Sequence, residues 1–373
     1  MLLPSKRSLL SATTAEDLQP LLPGLPDNIA QLCLSSVPPS LLFSVCRSWR
    51  RLIYSPSFPP FLCLYALLSK TDQSPLSDDE EDDPIGFFIY DPIAGSWSRL
   101  PESPPDPPIR RIIVSHPCFL SRQIAIQSVA TGGRLVLLAA SDDRLLPALH
   151  RPLVFHPASR RWSAGPPIST PRRWCAAGSD YGAVYLVSGV GSTYRSDVAR
   201  SVERWDLRSG NWETLAPLRD GRFCREAVEA VGAAGKLWMV NVRGRGAKEG
   251  AVYNIGRDQW EEMPSGMMAG WTGPAASDDE GAGAIYVVDE GTGEVRAYEF
   301  EEDSWRLVAP AEEARKGAVA VTASKGKVCV AVCGGHAVEV FDARSGRKWV
   351  VELPSGMSVI DLHVLPRVSE GEF

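Results

Sequence analysis

Residues 205–217 read Trp-Asp-Leu-Arg-Ser-Gly-Asn-Trp-Glu-Thr-Leu-Ala-Pro: an aromatic, a turn-forming Asp206 to Gly210 stretch, a second aromatic and a proline. Turn formers set between two aromatic-bearing runs of this length specify a β-hairpin. The pattern recurs along most of the chain. Trp97, Trp162, Trp212, Trp260, Trp305 and Trp349 are spaced by 65, 50, 48, 45 and 44 residues. An aromatic stands seven residues before five of them, at Tyr90, Phe155, Trp205, Tyr253 and Tyr298, and eight before the sixth, at Phe341. Pro101, Pro166, Pro217, Pro264, Pro310 and Pro354 follow the anchors by four or five residues. Asp91 to Gly95 and Asp342 to Gly346 are turns of the same composition.

Two further apolar runs precede each hairpin, as at Glu226 to Val231 and Lys236 to Val240, or Ala318 to Thr322 and Lys327 to Val332. Each unit thus supplies four short antiparallel strands. One twisted sheet cannot bury both faces alone, so six such units predict a radial, six-bladed β-propeller over residues 59–366. The anchor tryptophans fill the wedges between blades in this reading. Truncating a fully buried one to alanine costs roughly 3–5 kcal/mol. The first anchor lacks a full set of strands before it, while residues 357–365 form a spare alternating strand after the last. The spare strand is expected to complete the first blade and close the ring without an exposed edge. The residue after each anchor is Ser98, Ser163, Glu213, Glu261, Arg306 or Val350, never the aspartate of a WD40 repeat. The unit resembles the kelch repeat, with Gly334-Gly335 as its double glycine and Ser188-Gly189 as a partial copy.

Composition agrees with many turns rather than long helices: 32 glycines and 30 prolines in 373 residues, with 44% hydrophobic residues. The net charge of -6 equals the run Asp78, Asp79, Glu80, Glu81, Asp82 and Asp83 alone, so the rest of the chain is neutral and no nucleic-acid partner is indicated. The run falls in a solvated loop, residues 69–84, and Ser77 before it is a candidate phosphosite in an acidic context. The eight cysteines show neither a Cys-x-x-Cys pair nor a disulfide framework, which fits a reducing cytoplasmic or nuclear setting. The longest apolar run, Phe61 to Leu68, is too short to span a bilayer, so no membrane partner is expected. Residues 1–19 read as a flexible N-terminus and 367–373 as a tail.

Residues 20–58 break the repeat. Leu25, Ile29 and Leu32, then Leu41, Leu42, Val45, Trp49, Leu52 and Ile53, fall at helical spacings, divided by Val37-Pro38-Pro39. So small a helical segment needs another surface to complete its core. Leu25-Pro26-Asp27, Leu32, Val37-Pro38, Val45-Cys46-Arg47-Ser48-Trp49-Arg50-Arg51-Leu52-Ile53 and Ser57-Phe58 together are similar to a plant F-box. An F-box before kelch repeats resembles the plant F-box/kelch-repeat family. The stretch between Pro38 and Cys46 is shorter than in the usual plant F-box, which leaves the length of the middle helix open. The resemblance implies a non-catalytic substrate receptor of a ubiquitin ligase, with no cofactor, whose F-box docks on an Skp adaptor and through it on cullin and RING subunits. It places adaptor contacts at Leu25, Pro26, Ile29, Leu32, Val37, Leu41, Val45, Trp49 and Leu52. Some of these residues, Trp49 and Leu52 first, serve equally well as internal packing.

In a four-stranded meander the connections between strands 2 and 3 and between blades open on one face. The connections between blades carry Arg110, Arg111, Arg172, Arg173, Arg219, Arg222, Trp271, Arg315 and Lys316. A basic and aromatic rim is the expectation, suited to an acidic or phosphorylated segment of a protein partner. A metal enzyme on the same scaffold is disfavoured. The five histidines are scattered, His156 stands where other blades have a turn Asp or Asn, and Cys329 and Cys333 alternate in phase as core thiols. A kelch scaffold outside any ubiquitin ligase explains the propeller equally well but leaves the helical segment unexplained.

Overall fold

The computed structural model describes residues 20–70, 85–102, 126–141, 146–225, 227–243, 248–278, 283–332 and 334–368. Two compact units divide the chain, Leu62–Pro366 and the remainder. The larger is a propeller of six four-stranded antiparallel sheets. Blade 1 takes its innermost strand, Met357–Pro366, from the end of the chain and the other three from Leu62–Lys70, Gly86–Asp91 and Ser96–Arg99. Blades 2 to 6 follow in sequence order. Their innermost strands are Ile126–Thr131, Ala176–Asp180, Ala227–Ala233, Ala275–Ser277 and Ala318–Ser324. The C-terminal strand runs antiparallel to Leu62–Lys70, from Leu62 opposite Pro366 to Lys70 opposite Met357, and shifts register between Leu67 and Leu68.

Each blade is covered on both faces, so its second strand is apolar throughout rather than alternating. Leu135 to Ala140 and Ala183 to Val187 are buried at every position. Three of the hairpins, in blades 1, 3 and 6, close on an Asp-x-x-x-Gly turn. Asp91 Oδ1 accepts from the amides of Ile93 (2.7 Å) and Ala94 (3.0 Å), and the Gly95 amide returns to the Asp91 carbonyl at 2.8 Å. Gly95, at φ +66°, supplies the left-handed residue that ends the turn. Asp342 and Gly346 repeat the geometry.

The seven-residue spacing sets register. It puts Tyr90 opposite Trp97, Phe155 opposite Trp162, Trp205 opposite Trp212, Tyr253 opposite Trp260 and Tyr298 opposite Trp305, with ring centroids 5.1–5.8 Å apart. These five indoles are half-buried rather than enclosed. Each donates its ring N–H to a carbonyl of the preceding blade or the chain just after it: Glu352 (2.7 Å), Pro101 (2.9 Å), Pro166 (3.2 Å), Ala216 (2.9 Å) and Gly266 (3.0 Å). Blade 6 departs because its aromatic stands eight residues before its tryptophan. Lys348 therefore faces Phe341, and Trp349 pairs with Val340 on the other face of the sheet, 41% exposed. Lys348 binds Glu312 instead, and the corresponding blade 5 carbonyl, that of Pro310, accepts from the Arg315 guanidinium.

The smaller unit contains α1 (Asp27–Ser35), α2 (Pro39–Val45) and α3 (Arg47–Tyr54). Pro38-Pro39 starts α2 and the extended Cys46 ends it after seven residues, so the middle helix is short. Ala30, Leu34, Leu42, Leu52 and Ile53 are its buried residues within the helices. Arg367 caps the end of α3 and the chain beyond it, donating to the carbonyls of Ser55 (2.7 Å), Phe58 (3.1 Å) and Tyr54 (3.2 Å). Among the described residues no helix is long and apolar enough to cross a membrane.

Candidate functional site

Three regions carry chemistry. On the helical unit, α1 buries Ala30 and Leu34 and turns Ile29 and Leu32 outward; Leu25 and Pro26 before it are also exposed. Leu25, Ile29 and Leu32 follow the i, i+4, i+7 spacing of one helical face. On α2, Leu42 is fully buried while Leu41 and Val45, four apart, are each 58% exposed. Leu32 is 67% exposed. Five of the eleven exposed large hydrophobics among the described residues thus lie between residues 25 and 45. The other three residues expected to contact an adaptor turn inward to different degrees. Val37 and Trp49 are half-buried, with Trp49 donating its indole N–H to the Leu21 carbonyl at 2.8 Å, and Leu52 is buried.

The propeller face with the inter-blade connections differs from the expected basic rim at three of nine positions. Arg172 is 1% exposed. Its guanidinium pairs with Glu203 and donates to Ser201 Oγ and to the carbonyls of Thr170 (3.1 Å) and Ser188 (3.3 Å). Arg315, 2% exposed, pairs with Glu312 and Glu339, both at 2.9 Å, and donates to the Gly293 carbonyl at 2.7 Å. Trp271 is fully buried and packs edge-on against Trp305, 6.5 Å away. These three side chains hold blades together, and their charge or ring is not presented to solvent. A buried arginine is stable only with such partners, which lie 31 and 24 residues away on other strands.

Arg173, Arg219 and Lys316 remain at the surface. Arg173 is half-buried, stacked 4.1 Å over the Trp174 ring, and Lys316 pairs with Glu313 at 2.6 Å. Trp174 holds φ +54°, an unusual conformation for so bulky a residue. Arg110, Arg111, Ser77, the acidic run and Cys333 lie outside the described residues, as does the Arg222 side chain.

The third region is the axial channel, which sequence reading missed. Its wall is built from residues of the six innermost strands and borders a half-open space of about 210 Å³. There Ser128 of blade 2 meets Asp361 and His363 of the closing strand. Its hydroxyl donates to Asp361 Oδ2 and lies 2.9 Å from His363 Nε2, while Asp361 Oδ2 is 3.2 Å from the same Nε2. Burial alone would raise the Asp361 carboxyl, but His363 and Ser128 together hold it below its ordinary value. A hydrolytic triad places nucleophile and carboxylate on opposite ring nitrogens. Here both sit on Nε2, so the group is a latch between blades and not a proton relay. Residues 128 and 363 are joined by no linear motif, only by ring closure.

The remaining candidate ligands are structural. His156 Nε2 lies 2.8 Å from Ser163 Oγ across the hairpin, and burial, then Arg134, lowers its proton affinity. Burial pushes the Cys175 and Cys329 thiols up to about 12, so both stay protonated at neutral pH. Among the described residues no three His, Cys, Asp or Glu side chains cluster closely enough to hold a metal.

No family model matches the chain. It is 45% identical to the F-box/kelch-repeat protein SKIP25 of Arabidopsis thaliana, over 99% of this chain and 95% of that protein. The F-box protein AFR of the same plant is 27% identical over 68% of this chain and 65% of its own length. A further relative, the F-box/kelch-repeat protein SKIP20 of Arabidopsis thaliana, is 24% identical over 91% of this chain and 94% of its own.

Proposed function

The chain belongs to the F-box/kelch-repeat family, and from that premise we propose that it is a substrate-recognition subunit of an SCF (Skp–cullin–F-box) ubiquitin ligase. One observation carries the reading: Leu25, Ile29, Leu32, Leu41 and Val45 are turned outward from a helical unit whose own core is Ala30, Leu34, Leu42, Leu52 and Ile53. Apolar side chains gathered on so small a unit mark an interaction surface. The adaptor docks there, and cullin and RING subunits join through it. Trp49 and Leu52 support that surface from within.

The propeller face bearing the inter-blade connections takes the target protein. Arg173, Arg219 and Lys316 suit an acidic or phosphorylated segment, since guanidinium and ammonium groups grip carboxylates and phosphates. The role is binding rather than catalysis. Pull-down of the full chain with the Skp adaptor, repeated with Leu25→Ala and Pro26→Ala together, tests the reading. Capture by the intact chain that is lost in the double variant is expected; failure of the intact chain to bind overturns it.

A further inference from the structure

Two classes of connection open on the target-binding face, and at blade 3 they meet. Arg200 stands at the end of the connection between the strands Ala183–Val187 and Val202–Asp206, while Leu218 and Arg219 lie in the connection from Trp212–Thr214 to blade 4. Arg200 donates its Nε–H to the Leu218 carbonyl at 2.7 Å, which holds the guanidinium beside the residue that precedes Arg219. Gly221 allows the two segments this approach, since a Cβ there would lie 2.8 Å from that of Ala199 and 3.5 Å from Tyr194 Oη. Arg200 and Arg219 are both exposed, and neither forms an ion pair among the described residues. Their neighbours are already matched: Arg195 by Asp197 and Arg172 by Glu203, while Arg173 and Asp220 are half-buried with contacts of their own. Blade 5 differs on the same face, because Lys316 is met by Glu313 and Arg315 by Glu312 and Glu339.

We propose that Arg200 and Arg219 together bind a phosphorylated serine or threonine of the target, an inference that rests on reading this face as the target-binding one. A carboxylate brings one negative charge and is satisfied by a single guanidinium. A phosphate monoester carries about 1.5–2 negative charges at neutral pH and three acceptor oxygens, so it matches two adjacent guanidinium groups. The tether to Leu218 keeps the Arg200 guanidinium low against the main chain, which suits a phosphate on a short side chain. Tyr194, 52% exposed above Gly221, offers its ring to the residue beside the phosphate.

Fluorescence polarisation of the full chain with three labelled pools of short peptides tests the proposal; their flanks are randomised and their central residue is phosphoserine, glutamate or serine. The phosphoserine pool is expected to bind about tenfold more tightly than the glutamate pool, and the serine pool not to bind. Arg200→Gln and Arg219→Gln should each weaken the phosphoserine pool about tenfold, whereas Arg344→Gln, in an exposed hairpin turn of blade 6, should leave it unchanged. Melting of the two site variants should stay within about 2 °C of wild type, since both side chains are exposed. Equal binding of the phosphoserine and glutamate pools, or phosphoserine binding that survives both site variants, would overturn the proposal. So would failure to bind any pool by a chain that still captures the Skp adaptor, a result that leaves the ligase reading standing.

Discussion

The one-residue slip in blade 6 makes the six tryptophans unequal, and the difference can be measured by truncating two of them. Trp162 lies opposite Phe155 with centroids 5.1 Å apart, contacts Phe87 of blade 1 at 5.0 Å, and donates its N–H to Pro101. Replacing it with alanine removes two aromatic contacts worth about 0.5–1.5 kcal/mol each and a hydrogen bond worth about 1 kcal/mol, besides the apolar burial of a half-covered ring. A loss of roughly 3–4 kcal/mol follows, near the lower end of the values for fully buried aromatics. Trp349 is 41% exposed and faces Val340, so its truncation should cost about 1 kcal/mol or less. Taking about 2–4 °C per kcal/mol for a unit of this size class, Trp162→Ala should lower the melting temperature by roughly 6–15 °C and Trp349→Ala by a few degrees at most. Circular dichroism at 218 nm against temperature, with urea melts to supply the slope, decides the matter. Equal losses for the two variants would refute the register argument.

Three further outcomes are expected. Arg172→Ala should cost about 3–5 kcal/mol because Glu203 is left buried without its counter-charge, whereas Arg172→Met with Glu203→Leu should recover much of the loss; a double variant no better than the single one in urea melts would contradict this. Leu42→Ala should destabilise the helical unit by about 2–5 kcal/mol, while Leu32→Ala leaves its melting unchanged and weakens adaptor capture several-fold, so a calorimetric and a binding assay on both variants must sort them oppositely. Asp303 accepts the Tyr298 hydroxyl (2.6 Å) and the Gly266 and Met267 amides, contacts that hold its carboxyl below its ordinary range. With the folded value depressed, its stabilisation is complete above the unfolded value near pH 4 and is lost as pH falls through the folded one. The melting gap between wild type and Asp303→Asn should therefore narrow from pH 7 to pH 3, and a constant gap would count against the assignment.

The blades were legible because the hairpin code is local: seven residues from aromatic to tryptophan, with a short turn between, specify one register. The same code held the clue to blade 6, where the spacing of eight from Phe341 to Trp349 forces the opposite face. The arginines were not legible in this way. A buried Arg172 and a solvated Arg219 look alike in sequence, and Glu203, which decides the matter, belongs to another strand. The channel was hidden for a related reason. Gln127, Ser128 and Asp361 interrupt runs that otherwise read as apolar strands, and only the closed ring brings residue 128 beside residue 363. On the helical unit, spacing identified the apolar positions but could not divide Leu41 from Leu42, neighbours that face opposite ways.

The closing strand also imposes an order in time. Blade 1 begins with Leu62–Lys70, yet the strand that covers its inner edge is Met357–Pro366. At about 5–20 residues per second, the ribosome needs on the order of 15–60 s to make what lies between them. Throughout that interval the nascent chain carries an open β-edge at its first blade, and Ser128 has neither Asp361 nor His363 to bind. Residues 357–366 must therefore be made before this ring can lock, and a ribosomal stall ahead of them would leave five whole blades and one unfinished.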